Sequence, residues 1–468
     1  MPNSDFNHES IQDAYQVGNT IVSSLAPWLI EHTSQACQGE KHQHQIKMVE
    51  VTEAIAIARG WHHEKPPWSG SHSQPSDDYL AVTQKCIDVY LLSQGPRGGI
   101  NGIGWWQWAN GYAAIALHDY WSGSNKNYQC LADALRKCEG QHRNFINEFN
   151  DDTLWFAICC THAYSIGGDP WFLSRARQVW QYLNDRNSVC GRGWFNCCDH
   201  DMEGGVFWTT KPGEGYLNSI TTSLYAELSV RLALLEGPGA PVVEQGHQHF
   251  LGLRKLIQQG HKHGGAEEYL EEGRTSLGWI LRCVYRPKDA VVMDGISTKD
   301  GKLTNWTFTY TTGVTIGVCA LLYQASQEDD YMVLACHMAH RAMRNRGWVN
   351  ENGVLADLGA WGRAPGEPAK NGDGVGFKSV LMRHLGTLYH TIQLTAAQLP
   401  LALQTSELIK DFVGINYKSQ VERNTNGRGQ YGPWWDGPYD SATSHSQLAV
   451  LDVMAAARLV FEEGRRGV

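Results

Sequence analysis

The chain has 468 residues, of which 42% are hydrophobic and 19% are charged, and its formal net charge is −9. This composition is typical of a globular protein and excludes a disordered chain. The charges form no long acidic or basic run, which argues against nucleic acid and against an anionic membrane as the main partner.

The N-terminal segment shows neither a secretion signal nor a membrane span. The opening MPNSDFNHES lacks the basic start and apolar stretch of a signal peptide, and Ile21–Ile30 is too short and too interrupted to cross a bilayer. We therefore expect a cytoplasmic protein if Met1 is the native start, and an extracellular one if the chain has been trimmed. Residues 1–76 are expected to form an N-terminal helix plus a loop.

Helical periodicity dominates the rest of the chain. Apolar residues recur three and four positions apart in Asp77–Ser93, Asn110–Trp121, Asn218–Glu236 and Ser446–Glu463. Loops rich in Gly and Trp separate these segments, and no clear run of alternating strand residues occurs. The sequence therefore predicts an all-α fold.

A helix–turn–helix pattern repeats along the chain. An apolar helix ends in a tyrosine at Tyr120, Tyr164 and Tyr323, and the next helix then carries an aromatic residue followed by an alanine, at Tyr128 and Ala132, Phe172 and Ala176, and Tyr331 and Ala335. The small alanine allows the second helix to pack closely on the first. Such units stack into a solenoid or close into a ring, and a chain of this length holds about six pairs. We predict a single (α/α)6 barrel, a toroid of helical hairpins, over residues 1–468, with a cleft at one end where the loops collect.

The cysteines do not form a recognisable metal site. The chain has 12 Cys, including the adjacent pairs Cys159–Cys160 and Cys197–Cys198. No two CxxC pairs are spaced as in a structural zinc site, and the run CCDHD at Cys197–Asp201 crowds its candidate ligands into one short stretch. We predict reduced thiols, no metal and no cofactor.

Two consecutive acids, Asp151 and Asp152, open a predicted helix in the stretch NDDTLW. Acids favour the N-cap and first turn of a helix, so capping is one interpretation. Catalysis is the other, because glycoside hydrolysis uses one carboxylate as nucleophile or base and a second as proton donor. Trp155 and the loops GWWQW (104–108) and GGVFW (204–208) would supply the flat apolar faces that a pyranose ring needs.

Several separate stretches, in the same order, resemble glycoside hydrolase family 76, the endo-α-1,6-mannanases and related fungal cell-wall enzymes. They are WWQWANGYAAIALHDYWSGS, NDDTLWFAICCTHAYSIGGDPWFLSRA, GGVFW with YLNSITTSLYAELSVRL, MDGISTKDGKLTNWTFTYTTGVTIGVCALLY, DGVGFKSVLMRHLGTLY and WWDGPYDSATSHSQLAVLDVMAAA. Together they extend from Trp105 to Ala457. The resemblance implies an (α/α)6 barrel, in agreement with the repeat, and an α-mannosidase-type glycosidase.

Carried over residue by residue, the resemblance implies that Asp151 is the nucleophile and Asp152 the general acid/base of a retaining mechanism. The implied substrate is an α-mannoside, either α-1,6-mannan-like or a smaller mannosylated compound. The candidate substrate-binding residues are aromatic and polar side chains of the quoted stretches: Trp105, Trp106, Trp155, Trp208, Asn218, Asp294, Tyr310 and Asp373. For Asp294 and Asp373, turn formation is the alternative. The expected partner is thus a carbohydrate or a glycosylated small molecule, and the oligomeric state stays open.

The chain departs from the family pattern at a few positions. Leu217 stands where the family usually has Lys, Thr222 where it has Asn, and Thr311–Thr312 where it has Asn-Gln. These changes predict fewer hydrogen-bond donors toward sugar hydroxyls. A transglycosylase, a sugar-binding protein and a sugar epimerase that uses histidines remain as alternatives, and the candidate histidines include His62, His63, His118, His162, His200, His384 and His445.

Overall fold

The computed structural model of the protein describes residues 52–70, 78–191, 196–197, 200–237, 264–356 and 372–466. Helices dominate these residues. In chain order they are α1 (52–60), α2 (Tyr79–Leu91), α3 (Trp105–Ser122), α4 (Tyr128–Glu139), α5 (Asn150–Gly167), α6 (Pro170–Asp185), α7 (Ser219–Glu236), α8 (Gly264–Trp279), α9 (Thr309–Ser326), α10 (Asp329–Ala342), α11 (Gly372–Thr395), α12 (Pro400–Arg423) and α13 (Ser444–Arg466).

The odd-numbered helices α3 to α13 form a closed inner ring, in which each helix contacts the next and α13 returns to α3. The even-numbered helices α2 to α12 pack around the outside of this ring. The predicted (α/α)6 barrel is therefore confirmed. Of the helix and loop expected over residues 1–76, residues 1–51 and 71–76 lie outside the described residues, and 52–60 is helical.

The helix–turn–helix repeat predicted from the sequence is present in the structure. Helix α5 is followed by Gly168, whose φ of 66° is left-handed and favours glycine. The Asp169 side chain then accepts the backbone N–H of Trp171, and Pro170 opens α6. The alanines of the repeat are fully buried between the paired helices, at Ala132, Ala176 and Ala335.

A buried ion pair crosses the interior of the inner ring. Arg383 of α11 donates from Nε to Asp452 Oδ1 of α13 at 2.8 Å, and from Nη1 to Asn110 Oδ1 of α3 at 2.7 Å. All three side chains are excluded from solvent. Because a buried charge without its partner is strongly unfavourable, this network fixes three inner helices against one another.

The described residues also contain short strands, which the sequence analysis did not predict. They are β1 (Asn196–Cys197), β2 (His200–Asp201), β3 (Tyr216–Asn218), β4 (Tyr285–Arg286), β5 (Val291–Ser297) and β6 (Leu303–Thr307). Strand β5 pairs antiparallel with β3, β4 and β6. It is buried almost throughout, so its sequence lacks the alternation that reveals a half-exposed strand. Strand β3 leads directly into α7 and β6 into α9, which places this sheet at the N-terminal ends of those helices.

The described residues also bear on the cysteines and on membrane insertion. None of the described helices combines the length and apolar character that crossing a bilayer requires. The cysteines whose side chains are described are free thiols, and all but Cys130 are buried.

Candidate active site

Aromatic side chains from the N-terminal ends of several inner helices meet at one end of the barrel. The ring of Trp106 on α3 lies 6.3 Å from Trp155 on α5 and 6.0 Å from Phe377 on α11. Phe377 in turn stacks on Tyr310 of α9, with centroids 4.2 Å apart and ring planes 4° from parallel. We call the region defined by Trp106, Trp155, Tyr310 and Phe377 the aromatic end of the barrel.

Helix α5 enters the aromatic end through a fixed turn. Its first residue, Asn150, donates from Nδ2 to the carbonyls of Phe207 and Thr209, at 2.9 and 3.1 Å. The backbone N–H of Asn150 also donates to the carbonyl of Trp208 at 2.8 Å. These bonds hold the loop before α7 against the start of α5, so that the Trp208 side chain lies beside Asp151.

Asp151 and Asp152 occupy the first turn of α5, and neither is its N-cap, which is Phe149. Both oxygens of Asp151 accept N–H donors. Oδ1 accepts the backbone N–H of Asp152 at 3.0 Å, and Oδ2 accepts the indole N–H of Trp208 at 3.2 Å. Burial and the neighbouring carboxylate of Asp152 raise the pKa of Asp151 well above its usual value, while the two N–H donors lower it.

Asp152 has a different set of neighbours. Its Oδ2 accepts the side-chain amide of Asn147 at 2.8 Å. Burial raises the pKa of Asp152 to about 7; the Asn147 amide opposes this rise, and the carboxylates of Asp373 and Glu148 add to it. Since two adjacent carboxylates in a buried setting do not both ionise readily, the pair as a unit retains a proton near neutral pH.

Asp373, at the start of α11, is held by two donors from α3. Gln107 donates from Nε2 to Asp373 Oδ1 at 2.6 Å, and the Trp106 indole N–H donates to the same oxygen at 3.3 Å. The Asp373 side chain is otherwise exposed. The three residues therefore join two inner helices and place a solvent-facing carboxylate close to Asp152.

Asp294 lies on the other side of the aromatic end, in strand β5. It accepts the hydroxyl of Tyr216 at 2.6 Å, and burial raises the pKa of Asp294 to about 6 against the lowering effect of that bond. The carboxylates of Asp294, Asp151 and Asp373 all add to the burial that raises the pKa of Tyr310. The Tyr310 hydroxyl therefore lies amid these acids from three separate segments.

Two of the predicted binding residues, Trp105 and Asn218, make contacts within the fold. Trp105 packs against His142 and Phe156, at 4.7 and 4.4 Å between centroids, on the side of α3 away from Trp106. Asn218 is the N-cap of α7 and accepts the backbone N–H of Thr221 at 3.1 Å. Within the described contacts, the other predicted residues, Trp106, Trp155, Trp208, Asp294, Tyr310 and Asp373, belong to the aromatic end.

Sequence reasoning missed several residues of the site, namely Gln107, Asn147, Glu148, Tyr216 and Phe377. Gln107 and Phe377 belong to stretches that carried the family resemblance, and Asn147 and Glu148 come just before the aspartate pair. Their nearness to these motifs is the signal that could have identified these four residues. Tyr216 also begins one of those stretches, YLNSITTSLYAELSVRL, but its contact with Asp294 depends on the pairing of β3 with β5.

Within the part of the chain that the structure describes, the candidate histidines do not gather at the aspartate pair. His162 and His384 are buried within the barrel interior, and burial lowers the pKa of both. His445 lies against Gly372 beside Asp373. No group of three or more His, Cys, Asp or Glu side chains within the described ranges is arranged to hold a metal ion, and part of the run Cys197–Asp201 lies outside those ranges.

Comparisons with solved structures give the same fold. The chain is similar to the α-1,6-mannanase GH76A of Salegentibacter sp. HEL1_6, in the structure of an inactive variant that has two consecutive aspartates replaced by asparagine and is in complex with α-1,6-mannotriose. The identity is 21% and the TM-score is 0.62, and 82% of this chain and 100% of that chain are covered. It is also similar to Dfg5 from Chaetomium thermophilum in complex with glucosamine, at 14% identity and a TM-score of 0.62, covering 84% of this chain and 93% of that one. A family 76 mannosidase from Bacteroides thetaiotaomicron matches at 15% identity and a TM-score of 0.59, with 83% and 100% covered.

Sequence comparison identifies the family directly. No curated protein gives a significant match. The model of Glycosyl hydrolase family 76 matches residues 78–240 and 261–465, which include every element of the aromatic end. Because this match covers most of the chain, the protein belongs to glycosyl hydrolase family 76.

Proposed function

We propose that the protein is a retaining glycosidase that cleaves α-1,6-linked mannosides, with Asp151 as nucleophile and Asp152 as general acid/base. The observation that carries the proposal is the unequal environment of the two adjacent carboxylates. Asp151 accepts an N–H donor on each oxygen, whereas Asp152 accepts one amide and is close to the additional carboxylates of Asp373 and Glu148.

This difference favours a proton on one of the two carboxylates over the other. Hydrogen bonds to the charged form favour ionisation, and nearby negative charges oppose it. The hydrogen bonds therefore favour the anion on Asp151 and the proton on Asp152, against the burial and the Asp152 carboxylate that raise the pKa of Asp151. Because the Asn147 amide donates to Oδ2 of Asp152, the proton belongs on Oδ1, which is the oxygen that can donate to a leaving group.

The reaction then follows in two balanced steps. The Asp151 carboxylate attacks the anomeric carbon as the glycosidic C–O bond breaks, and Asp152 gives its proton to the departing oxygen. A water molecule next attacks the glycosyl ester, Asp152 takes the water proton, and the Asp151 carboxylate is released. The partly exposed rings of Trp106 and Tyr310 would contact the apolar faces of the bound sugar, and the buried Trp155 lies beside Trp106.

The choice of substrate rests on the family and its structural neighbours. The Salegentibacter enzyme is an α-1,6-mannanase whose inactive variant holds α-1,6-mannotriose. The carboxylate pair of this chain begins an inner helix of the same fold. We extend the substrate class to this protein as part of the proposal.

The test uses single Asp151→Asn and Asp152→Asn variants with α-1,6-mannotriose as substrate. Each should lose hydrolysis by more than about a thousandfold, the scale of a nucleophile or acid in a two-carboxylate site, while the far-ultraviolet circular dichroism stays unchanged. NMR of the first product should show the α-anomer, as retention requires. Activity that survives either change, or a β-anomer product, would refute the assignment.

Asp329→Asn is the matched control. Asp329 and Asp330 are also consecutive acids in the first turn of a helix, the outer helix α10, and Asp329 is exposed. The control should keep wild-type activity, which would show that an acid in the first turn of a helix is not by itself catalytic. Adding a second mannoside as acceptor in the same assay would reveal a transglycosylase through longer products.

A further inference from the structure

An exposed tryptophan lies on the strand that leads into the aromatic end. Within the described residues, the large hydrophobic side chains that are exposed are Leu80, Leu92, Trp306 and Leu403, and Trp306, at 51% exposure, is the aromatic one. It belongs to β6, three residues before the start of α9. A single exposed apolar side chain is normal on a protein surface, so the significance of Trp306 depends on its position and its neighbours.

An irregular strand pairing sets the position of Trp306. Met293 of β5 pairs with Thr307 of β6, and Gly295 pairs with Thr304, so one residue of β5 faces two of β6. The single residue is Asp294, and the two opposite it are Asn305 and Trp306. Such a bulge redirects side chains and occurs often beside active sites. Here it places Asn305 and Trp306, both exposed, opposite Asp294 in the strand pairing.

A row of aromatic rings connects Trp306 with the aromatic end. The centroid of Trp306 lies 6.2 Å from that of Phe308, and Phe308 lies 5.2 Å from Phe377. Phe377 in turn lies 6.0 Å from Trp106. The partly exposed rings of this row form a path of successive contacts from the neighbourhood of the aspartate pair to solvent.

We propose that Trp306 is the platform of an outer sugar subsite, so that the protein prefers α-1,6-linked manno-oligosaccharides longer than a trisaccharide. The apolar face of one further pyranose would pack on the indole, and its hydroxyls would face the bulge at Asn305 and Asp294. This proposal rests on the proposed function, since it names the chain length that the same site selects.

The test measures binding to the full-length Asp152→Asn protein, which should not cleave its ligand, by isothermal titration calorimetry. The probes are α-1,6-mannobiose and α-1,6-mannopentaose. Trp306→Ala in this background should weaken mannopentaose binding about tenfold, or about 1.4 kcal/mol, and change mannobiose binding less than twofold. Trp306→Phe should recover most of the loss because it keeps a flat ring. Leu403→Ala, an exposed residue of outer helix α12, is the control and should change neither.

Each other outcome counts against the subsite in a distinct way. If Trp306→Ala weakens both sugars equally, or neither, then Trp306 does not select chain length. If the parent protein binds mannopentaose no more tightly than mannobiose, the outer subsite is absent although the proposed function stands. If the parent binds neither sugar, the substrate class in the proposed function is itself wrong, and the subsite fails with it.

Discussion

The amide of Asn147 offers a direct way to shift the acid of the proposed mechanism. Asn147 donates from Nδ2 to Asp152 Oδ2 at 2.8 Å. Its Oδ1 accepts the backbone N–H of Phe149 at 2.9 Å, which shapes the turn into α5. Asn147→Ala removes both bonds, whereas Asn147→Asp keeps an oxygen for Phe149 and removes only the donor to Asp152. The pair of variants therefore separates the turn from the electrostatics.

The size of the effect follows from the hydrogen bond. A bond to a charged group contributes about 1.5–3 kcal/mol, and one pKa unit corresponds to about 1.36 kcal/mol. The donor favours the ionised form of Asp152, so its loss should raise the pKa of Asp152 by about 1–2 units from the value of about 7. Asn147→Asp should raise it further, because it places a negative charge where the amide was.

The measurement is the dependence of kcat/KM on pH with α-1,6-mannotriose. Since Asp152 must be protonated to act as the acid, its pKa sets the basic limb, and both variants should move that limb to higher pH. Asn127→Ala is the matched control: Asn127 donates its amide to Asp119 at 2.7 Å in the turn between α3 and α4, at the opposite end of the barrel. It should lower stability and leave the limb in place. An unchanged or lowered limb in Asn147→Asp would contradict the role of the amide.

Two further predictions concern Asp151 and the pH dependence of stability. Trp208→Phe keeps the ring contact with Phe149 but removes the N–H donor to Asp151. The acid limb of the pH profile of kcat/KM should therefore move up by about one pH unit. An unmoved limb would show that this hydrogen bond does not stabilise the Asp151 carboxylate. His337 is fully buried, and burial lowers its pKa from 6.5 to about 4. Between these values the unfolded state binds more protons than the folded state, so the free energy of unfolding should fall as pH is lowered through this window, by up to about 2 kcal/mol between pH 7 and pH 5. Urea unfolding at both pH values should show a smaller difference for His337→Gln; an equal difference would assign the effect to other groups.

Several inner helices could be located from the sequence because long runs of apolar and small residues mark them; α7, for example, is buried on all sides from Ser219 to Val230. The segment Ser446–Glu463 was predicted to within a few residues of α13 (Ser444–Arg466). The start of α3 was placed too late, at Asn110 instead of Trp105. Its first turn, WWQW, divides its side chains between the interior packing of Trp105 and the contacts of Trp106 and Gln107 with Asp373, so it shows no simple apolar stripe.

Only those parts of the candidate site that lie close together in the sequence could be predicted. Asp151 and Asp152 are adjacent, and a pair of acids with nearby tryptophans is visible in one stretch. The contacts that distinguish the two carboxylates join distant segments, as in the bond from Trp208 to Asp151. Asp294 was identified, but its partner Tyr216 was not, because that contact depends on a short strand pairing without a periodic signal.

The departures from the family pattern alter how the site is supported. Thr311 and Thr312 are fully buried. Thr311 donates its hydroxyl to the carbonyl of Val292, and Thr312 accepts the Val292 backbone N–H. Thr222 likewise accepts the backbone N–H of Val206 at 2.9 Å. In this chain the side chains of the three threonines therefore form hydrogen bonds with the backbone and do not face a ligand position in solvent.

Those backbone bonds act on the two segments that carry site residues. Val292 lies two residues before Asp294 in β5, and Val206 lies two residues before Trp208 in the loop that contacts α5. The threonines thus hold the strand and the loop from their positions on α9 and α7. A longer amide side chain at these positions would have to displace the backbone or extend past it. Differences in substrate choice from other family members should therefore arise at side chains that are exposed around the aromatic end, such as Asp373 and Trp306, because these can contact the sugar directly.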